Sequence, residues 1–216
     1  INHVSGLDKE ITKRFINDMA DFIQTRKKRR TAFLFQGTEG TGKGFLFTVV
    51  FKNIFGSDYC SQTDMHAFKG QFNSFLESNI YVLVNEISGN FSSHNENMST
   101  IEKIKIAITD EVIQIEGKGK DRYNGKNNCS FVFASNRDNA LVIPIDDRRF
   151  NVAPKQEEKI YETEWWLGDD TMKKMVLSEL QGFVWYLKSY SVDKSIVNRV
   201  IDNEAKRILQ TLSMSN

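Results

Sequence analysis

The chain has 216 residues, 40% hydrophobic and 12% aromatic, enough to bury one substantial core. With 29 Lys and Arg against 28 Asp and Glu the net charge is +1, which excludes bulk basicity as the means of holding nucleic acid and confines any such contact to a local patch. Cys60 and Cys129 are too few for a disulfide framework, and no apolar run nears the roughly 20 residues of a bilayer span, so a reduced cytoplasmic protein without a membrane partner is expected.

Residues 8–29 carry Ile11, Phe15, Met19, Phe22 and Ile23 at helical spacing and end in the basic run Arg26 to Arg30. That run either complements the negative end of this helix or touches nucleic acid. Residues 31–36 form a short apolar stretch bounded by Gly37, which predicts a buried strand. Residues 45–55 predict a buried helix and residues 65–78 another. Ile80 to Val84 reads as a central parallel strand ending on Asn85 and Glu86. Residues 89–97 read as a loop, and helical spacing resumes from Thr100 to Ile108. Alternation at Val112, Ile113 and Ile115 leads into a turn-rich basic stretch, 117–126, and predicts a hairpin with a charged tip. Residues 130–134 and 149–152 predict two further strands. Beyond Pro154 the pattern is helical, with Trp165, Trp166, Phe183, Trp185 and Tyr186 expected as core or inter-helix packing.

Strands alternating with helices predict an α/β domain with a mostly parallel central sheet flanked by helices. The organisation expected is a helical lead-in over 1–30, a core over 31–153 and a small helical subdomain over 154–216.

The chemistry concentrates in Gly37, Thr38, Glu39, Gly40, Thr41, Gly42 and Lys43, a G-x-x-x-x-G-K pattern set between a predicted strand and a predicted helix. Glycines let backbone N–H groups converge on phosphate oxygens, Lys43 reaches the outer phosphates, and Gly44 and Phe45 open a helix whose positive end faces the ligand. Two positions depart from the usual pattern. Gly44 stands where a Ser or Thr hydroxyl commonly holds Mg²⁺, and Asn85 stands where the second strand commonly ends on Asp. Asn85 still offers a carbonyl oxygen, and Mg²⁺ accepts waters and phosphate oxygens in place of protein ligands. Glu86 is the expected base for the attacking water; its alternative is a carboxylate capping a loop. Asn136 closes the Phe131-Val-Phe-Ala-Ser stretch and belongs beside Glu86 if those strands are neighbours. His3, His66 and His94 form no ligand set.

These segments, with Lys105 to Asp121 and the Asp147-Arg148-Arg149-Phe150 run, resemble superfamily 3 helicases in order and spacing, and in particular the helicase part of phage and large-virus primase-helicases. The resemblance covers roughly residues 30–153 and implies an AAA+ P-loop core assembled as a homo-hexameric ring around one strand of DNA, working with ATP and Mg²⁺. By position it makes Lys43 the phosphate contact, Glu86 the acid-base residue, Asn136 the polar sensor and Arg148, with Arg149 as competitor, the arginine supplied to a neighbour's nucleotide. It sets the hairpin against single-stranded DNA through Lys118, Lys120 and Arg122, with Tyr123 as a stacking face; without the resemblance, the tip reads rather as a solvated turn whose lysines prevent edge pairing.

The expectation is therefore the ATP-driven motor of a replicative DNA helicase. Alternatives are a P-loop ATPase that loads or remodels proteins, a nucleotide-dependent assembly module with little turnover, and a viral RNA helicase. A first residue of Ile1 suggests an excised piece, with a primase or polymerase domain elsewhere in the same protein.

Overall fold

The computed structural model describes residues 1–70, 73–85, 94–119, 121–138, 141 and 143–214, with only the backbone of residues 94–98 and Met214. Its strands are β1 (Ala32–Gln36), β2 (Cys60–Asp64), β3 (Tyr81–Asn85), β4 (Val112–Ile115), β5 (Tyr123–Lys126), β6 (Ser130–Ser135) and β7 (Phe150–Val152). Five of them make one wholly parallel sheet in the order β2-β3-β6-β1-β7, while β4 and β5 pair antiparallel as a separate hairpin.

The central strands are continuous apolar runs because both their faces are covered. Ala32 and Leu34 of β1, Val82 and Val84 of β3, and Phe131 and Phe133 of β6 face one core, shared with Ile101, Ile104 and Leu209. The alternate residues, Phe33, Phe35, Tyr81, Leu83, Val132 and Ala134, face a second core with Ile11, Phe15, Phe47, Phe51 and Leu187. A period of two thus divides each strand between two layers of helices.

Helix α1 (Lys9–Thr25) begins where the Asp8 carboxylate accepts the N–H groups of Glu10 at 2.8 Å and Ile11 at 3.0 Å, and ends on Arg26 in the left-handed conformation. Its apolar stripe is buried, and Phe15 meets the rings of Phe33 and Phe35 edge-on at 4.9 and 5.1 Å. The lead-in is therefore one wall of the second core. After the loop at 37–42 come α2 (Lys43–Phe45), a π-helical stretch at Leu46–Phe51, and α3 (Lys52–Phe55).

Several sequence expectations need correction. β2 carried no continuous apolar signal because it is an edge strand with mostly half-exposed polar residues. The helix expected over 65–78 is two short ones, α4 (His66–Lys69) and α5 (Phe75–Ser78), the first ending at Gly70. Helix α6 (His94–Thr109) starts within the stretch read as a loop. The loop itself, with Glu86, lies largely outside the described residues.

The region after Pro154 is extended, with one 3₁₀ turn at Ile160–Glu162, until α7 (Asp169–Ser189); α8 (Glu204–Met214) follows. The aromatic residues assigned to packing there divide: Phe183 packs against the second core and Trp166 is half-buried against Phe45 and Trp165, while the other three are exposed. Trp185 is 71% exposed and Tyr186 45%, because α7 turns only Leu187 fully into the second core, and Trp165, ahead of α7, is 49% exposed.

Part of the basic run is spent on contacts within the fold, while the side chains of Arg26, Lys27 and Arg30 stay exposed. Lys28 donates to the carbonyls of Ala107 at 2.6 Å and Asp110 at 2.9 Å, and Arg30 to Thr109, so the run caps the C-terminal end of α6 and not of α1. Arg29 is buried and pairs with Asp21, which also pairs with Lys194.

Beside that pair Asp18 is buried, and desolvation pushes its carboxyl up to about 7, against the opposing charge of Arg29. A folded pKa above the unfolded value means stability present in full below about 4 and lost as pH rises to about 7. Three units correspond to a contribution on the order of 4 kcal/mol. Asp18→Asn should remove this dependence: urea unfolding at pH 4.5 and pH 8 should show the variant gaining on the wild type at the higher pH, and equal gains at both would refute the assignment.

Candidate functional site

β1 is flanked by β6 and β7, and the chain leaves its carboxyl end directly into Gly37. This is a point where successive connections depart to opposite sides, the place where open parallel sheets hold ligands. The loop is anchored on both flanks. Gly37 N–H donates to Ser135 O at 3.1 Å, and Thr38 N–H to Gln156 O at 3.0 Å. Gly37 leaves no room for a side chain, since a Cβ there would lie 2.5 Å from the Gln156 carbonyl oxygen. Gly40 and Gly42 have φ of +85° and +86°, which an L side chain adopts only with strain.

Among the described residues, the N–H groups of Glu39, Gly40, Thr41 and Gly42 donate to no backbone carbonyl. Lys43 Nζ folds back over this concavity and donates at 2.9 Å to each of Gly37 O, Thr38 O and Thr41 Oγ1. Burial lowers its pKa to about 8, opposed by the charge of Glu39. Backbone N–H groups without a carbonyl partner, beside a partly desolvated ammonium, suit such a loop to an anion.

The sheet register brings Asn85 and Asn136 to the same edge. Gln36 pairs with Ser135 and Val84 with Phe133, so the ends of β1, β6 and β3 lie side by side at strand spacings of about 4.8 Å. Asn85 donates its amide N–H to Gln62 Oε1 at 3.0 Å, and its carbonyl oxygen has no partner among the described residues. Asn136 is exposed. Both line one cavity of about 430 Å³ with residues 39–45. Thus Lys43, Asn85 and Asn136 come together as the sequence predicted; Glu86, next after Asn85, lies outside the described residues. Among those residues no cluster of three His, Cys, Asp or Glu side chains could hold a metal ion.

Sequence reasoning missed the other wall of the cavity, formed by Ile160, Tyr161, Trp166 and Asp169. Ile160 N–H donates to Gly40 O at 2.8 Å, and Gln156 N–H to Gln36 O at 2.9 Å, so the segment runs along the loop like a further strand. Its approach spans some 120 positions of chain, which no local pattern signals.

Arg148 sits at the other end of the sheet. Ala32 N–H donates to Arg149 O, which places this turn at the amino end of β1, opposite the loop. Asp147 accepts the N–H groups of Arg149 and Phe150 and is paired with buried Lys206. Arg148 itself is exposed and makes no ion pair among the described residues. Arg149 is half-buried, its Nε shielded from solvent, so of the two arginines Arg148 is the one presented outward.

The hairpin is held at its base. Asn73 donates its side-chain N–H to Gln114 O and accepts Glu116 N–H, both at 2.8 Å, and Tyr123 OH donates to Glu77 at 2.5 Å. Lys118 is exposed at the tip, beside Gly119 at φ +72°. Arg122 is paired with Glu116 at 2.5 Å, which neutralises its charge locally, and Lys120 lies outside the described residues.

The chain matches the family of unknown function DUF5906 over residues 35–149. It is 33% identical over 195 residues to the DNA primase-polymerase of Nitratiruptor phage NrS-1, an alignment covering 90% of this chain and 26% of that protein. The apo structure of the NrS-1 C-terminal region is similar with a TM-score of 0.86 at 30% identity, over 98% of this chain and 50% of that one. A second structure of the region, its A form, gives 0.82 at the same identity, over 98% and 49%. The chain thus spans about a quarter of the curated relative and about half of the solved region.

Loop geometry gives a prediction independent of any activity. Gly37→Ala should cost about 1–3 kcal/mol through overpacking against Gln156. Gly44, with nothing within 4 Å of a Cβ, should accept Ser within about 0.5 kcal/mol. Urea midpoints check both, and equal destabilisation by the two would contradict the geometry.

Proposed function

The chain belongs to the family of unknown function DUF5906, and from that membership and the geometry of the loop we propose that it is the nucleotide-driven motor of a phage-type DNA replication protein. The observation that carries the reading is one cavity lined by residues 39–42, Lys43, Asn85 and Asn136 at the ends of three adjacent parallel strands. The reading makes this an AAA+-type P-loop core of the superfamily 3 kind and its substrate ATP. Similarity to part of a phage primase-polymerase supports a role in replication, with priming or polymerising functions carried elsewhere in such a protein.

In this reading the triphosphate displaces Lys43 from its own loop carbonyls, and the ammonium moves onto the outer phosphates. Affinity then falls as pH rises through about 8, where Lys43 loses its proton. Asn136 holds the attacking water and Glu86 takes its proton. The donor set fits Mg²⁺ held chiefly by phosphate oxygens and waters, with the Asn85 oxygen as the protein contribution; bound there, the ion would neutralise charge on the transferred phosphoryl group. Arg148, too far from its own loop, serves a neighbouring subunit, so turnover requires a ring, taken as a homo-hexamer. The ring sets the hairpins, with Lys118, Lys120 and Arg122, toward one strand of DNA. A second reading, an assembly module that binds ATP and turns over slowly, is favoured by Gly44, which has space for a hydroxyl but lacks one.

The test is steady-state ATPase activity with Mg²⁺, with and without poly-dT, across protein concentration. Lys43→Ala should lower turnover at least a hundredfold, and Arg148→Ala should do the same while leaving ATP affinity unchanged. Lys118→Ala combined with Lys120→Ala should abolish only the stimulation by DNA. Turnover indifferent to poly-dT would favour a remodelling ATPase, equal stimulation by poly-U an RNA motor, and tight binding without turnover the assembly module.

A further inference from the structure

The wall opposite the phosphate-binding loop is aromatic, and the function proposed above uses none of it. Trp166 is half-buried and lines the cavity together with Phe45, Tyr161 and Asp169. Two neighbours hold its indole, Phe45 at 5.5 Å and Trp165 at 6.0 Å between centroids, with interplanar angles of 76° and 77°. Both contacts are edge-on, so no aromatic ring lies parallel to Trp166 among the described residues. Trp165 is braced in turn by His3 at 5.7 Å. Behind Trp166 the backbone is fixed, since its N–H donates to Thr163 O at 3.1 Å and the preceding 3₁₀ turn is tied to Gly40 through Ile160. Tyr161 is differently placed: its ring edge packs against Gly40 and the Lys159 ammonium stands 5.6 Å from its centroid.

A nucleotide has two ends of different chemistry. The loop accounts for the anionic end only, and a flat heteroaromatic base requires an apolar plane within reach of it. Phe45 ties the two together, because it belongs to the first turn after Lys43 and also touches Trp166. From the cavity and this held indole we infer that Trp166 is the base-stacking platform of the site and that the cavity takes a purine nucleoside triphosphate, with Asp169 as an acceptor for an amino group on the base edge. The larger face of a purine covers more of the indole than a pyrimidine does, whereas a single carboxylate accepts from adenine and guanine alike. The inference rests on the nucleotide reading of the loop, and adds to it the residues that set preference among nucleotides.

Calorimetric titration of the whole 216-residue chain with ATP, CTP and inorganic tripolyphosphate separates the two claims. Wild type should bind ATP more tightly than CTP. Trp166→Ala should weaken ATP about tenfold and leave tripolyphosphate within twofold, while Trp166→Phe, which keeps a ring, should stay within about threefold for ATP. Loss of ATP and tripolyphosphate binding to the same degree in Trp166→Ala would show an indole that only shapes the loop, and an unchanged ATP affinity would show no stacking; either overturns the inference. Lys43→Ala provides the other arm: if it leaves tripolyphosphate and ATP affinities unchanged, the nucleotide reading itself fails, whatever Trp166 does.

Discussion

β1 is hydrogen-bonded along both edges and covered on both faces, and its carboxyl end is where the chain turns into the loop. Five buried residues in a row leave this strand no freedom to slip, because a shift of one position would exchange the residues belonging to the two cores. Its neighbours inherit that register. The loop therefore emerges at a fixed height beside Ser135 and Gln156, and Asn136 and Asn85 emerge beside it. Precision at the site is a property of the sheet, with the loop glycines adding only permission for the backbone to curl.

Polar and charged groups inside the protein are used mainly to tie segments that are remote in sequence. Lys28 and Arg30 hold the end of α6, Asp21 collects Arg29 and Lys194, and Lys206 closes on Asp147. Pairs as buried as Lys206 and Asp147 add little net stability, yet removing one partner strands the other charge and is expensive. What they supply is location: Asp147 shapes the turn before β7 by accepting two backbone N–H groups, and that turn sets Arg148 outward.

The two ends of the sheet divide the chemistry. Lys43 and the glycine loop lie at the carboxyl end of β1, beside the ends of β3 and β6, and the outward arginine lies at the amino end of β7. A strand of five residues separates the two ends by roughly 17 Å. The π-helical stretch at Leu46–Phe51 lies immediately after the loop, carrying Phe47 and Phe51 into the second core. Extra backbone per turn there rotates the helix start relative to its buried part, a feature that recurs near functional sites.

What the sequence by itself determined was everything written in contiguous residues: the buried strands, legible as apolar runs bounded by glycine or asparagine; the loop from Gly37 to Lys43; and a hairpin with a charged tip. Local steric and hydrophobic preferences dictate these without reference to the rest of the chain. β2 was illegible because an edge strand half-exposed to solvent has no apolar pattern to show. The basic run and the tryptophans misled for a related reason: composition states what a side chain can do, whereas its partner is chosen by packing. Lys28 found the carbonyls of α6 some 80 residues away, and Trp166 found Phe45 about 120 residues back. Only the tertiary structure decided which arginine faces outward, that the cavity has an aromatic wall, and that its two walls meet, because each depends on contacts closed by the sheet across distances no local pattern encodes.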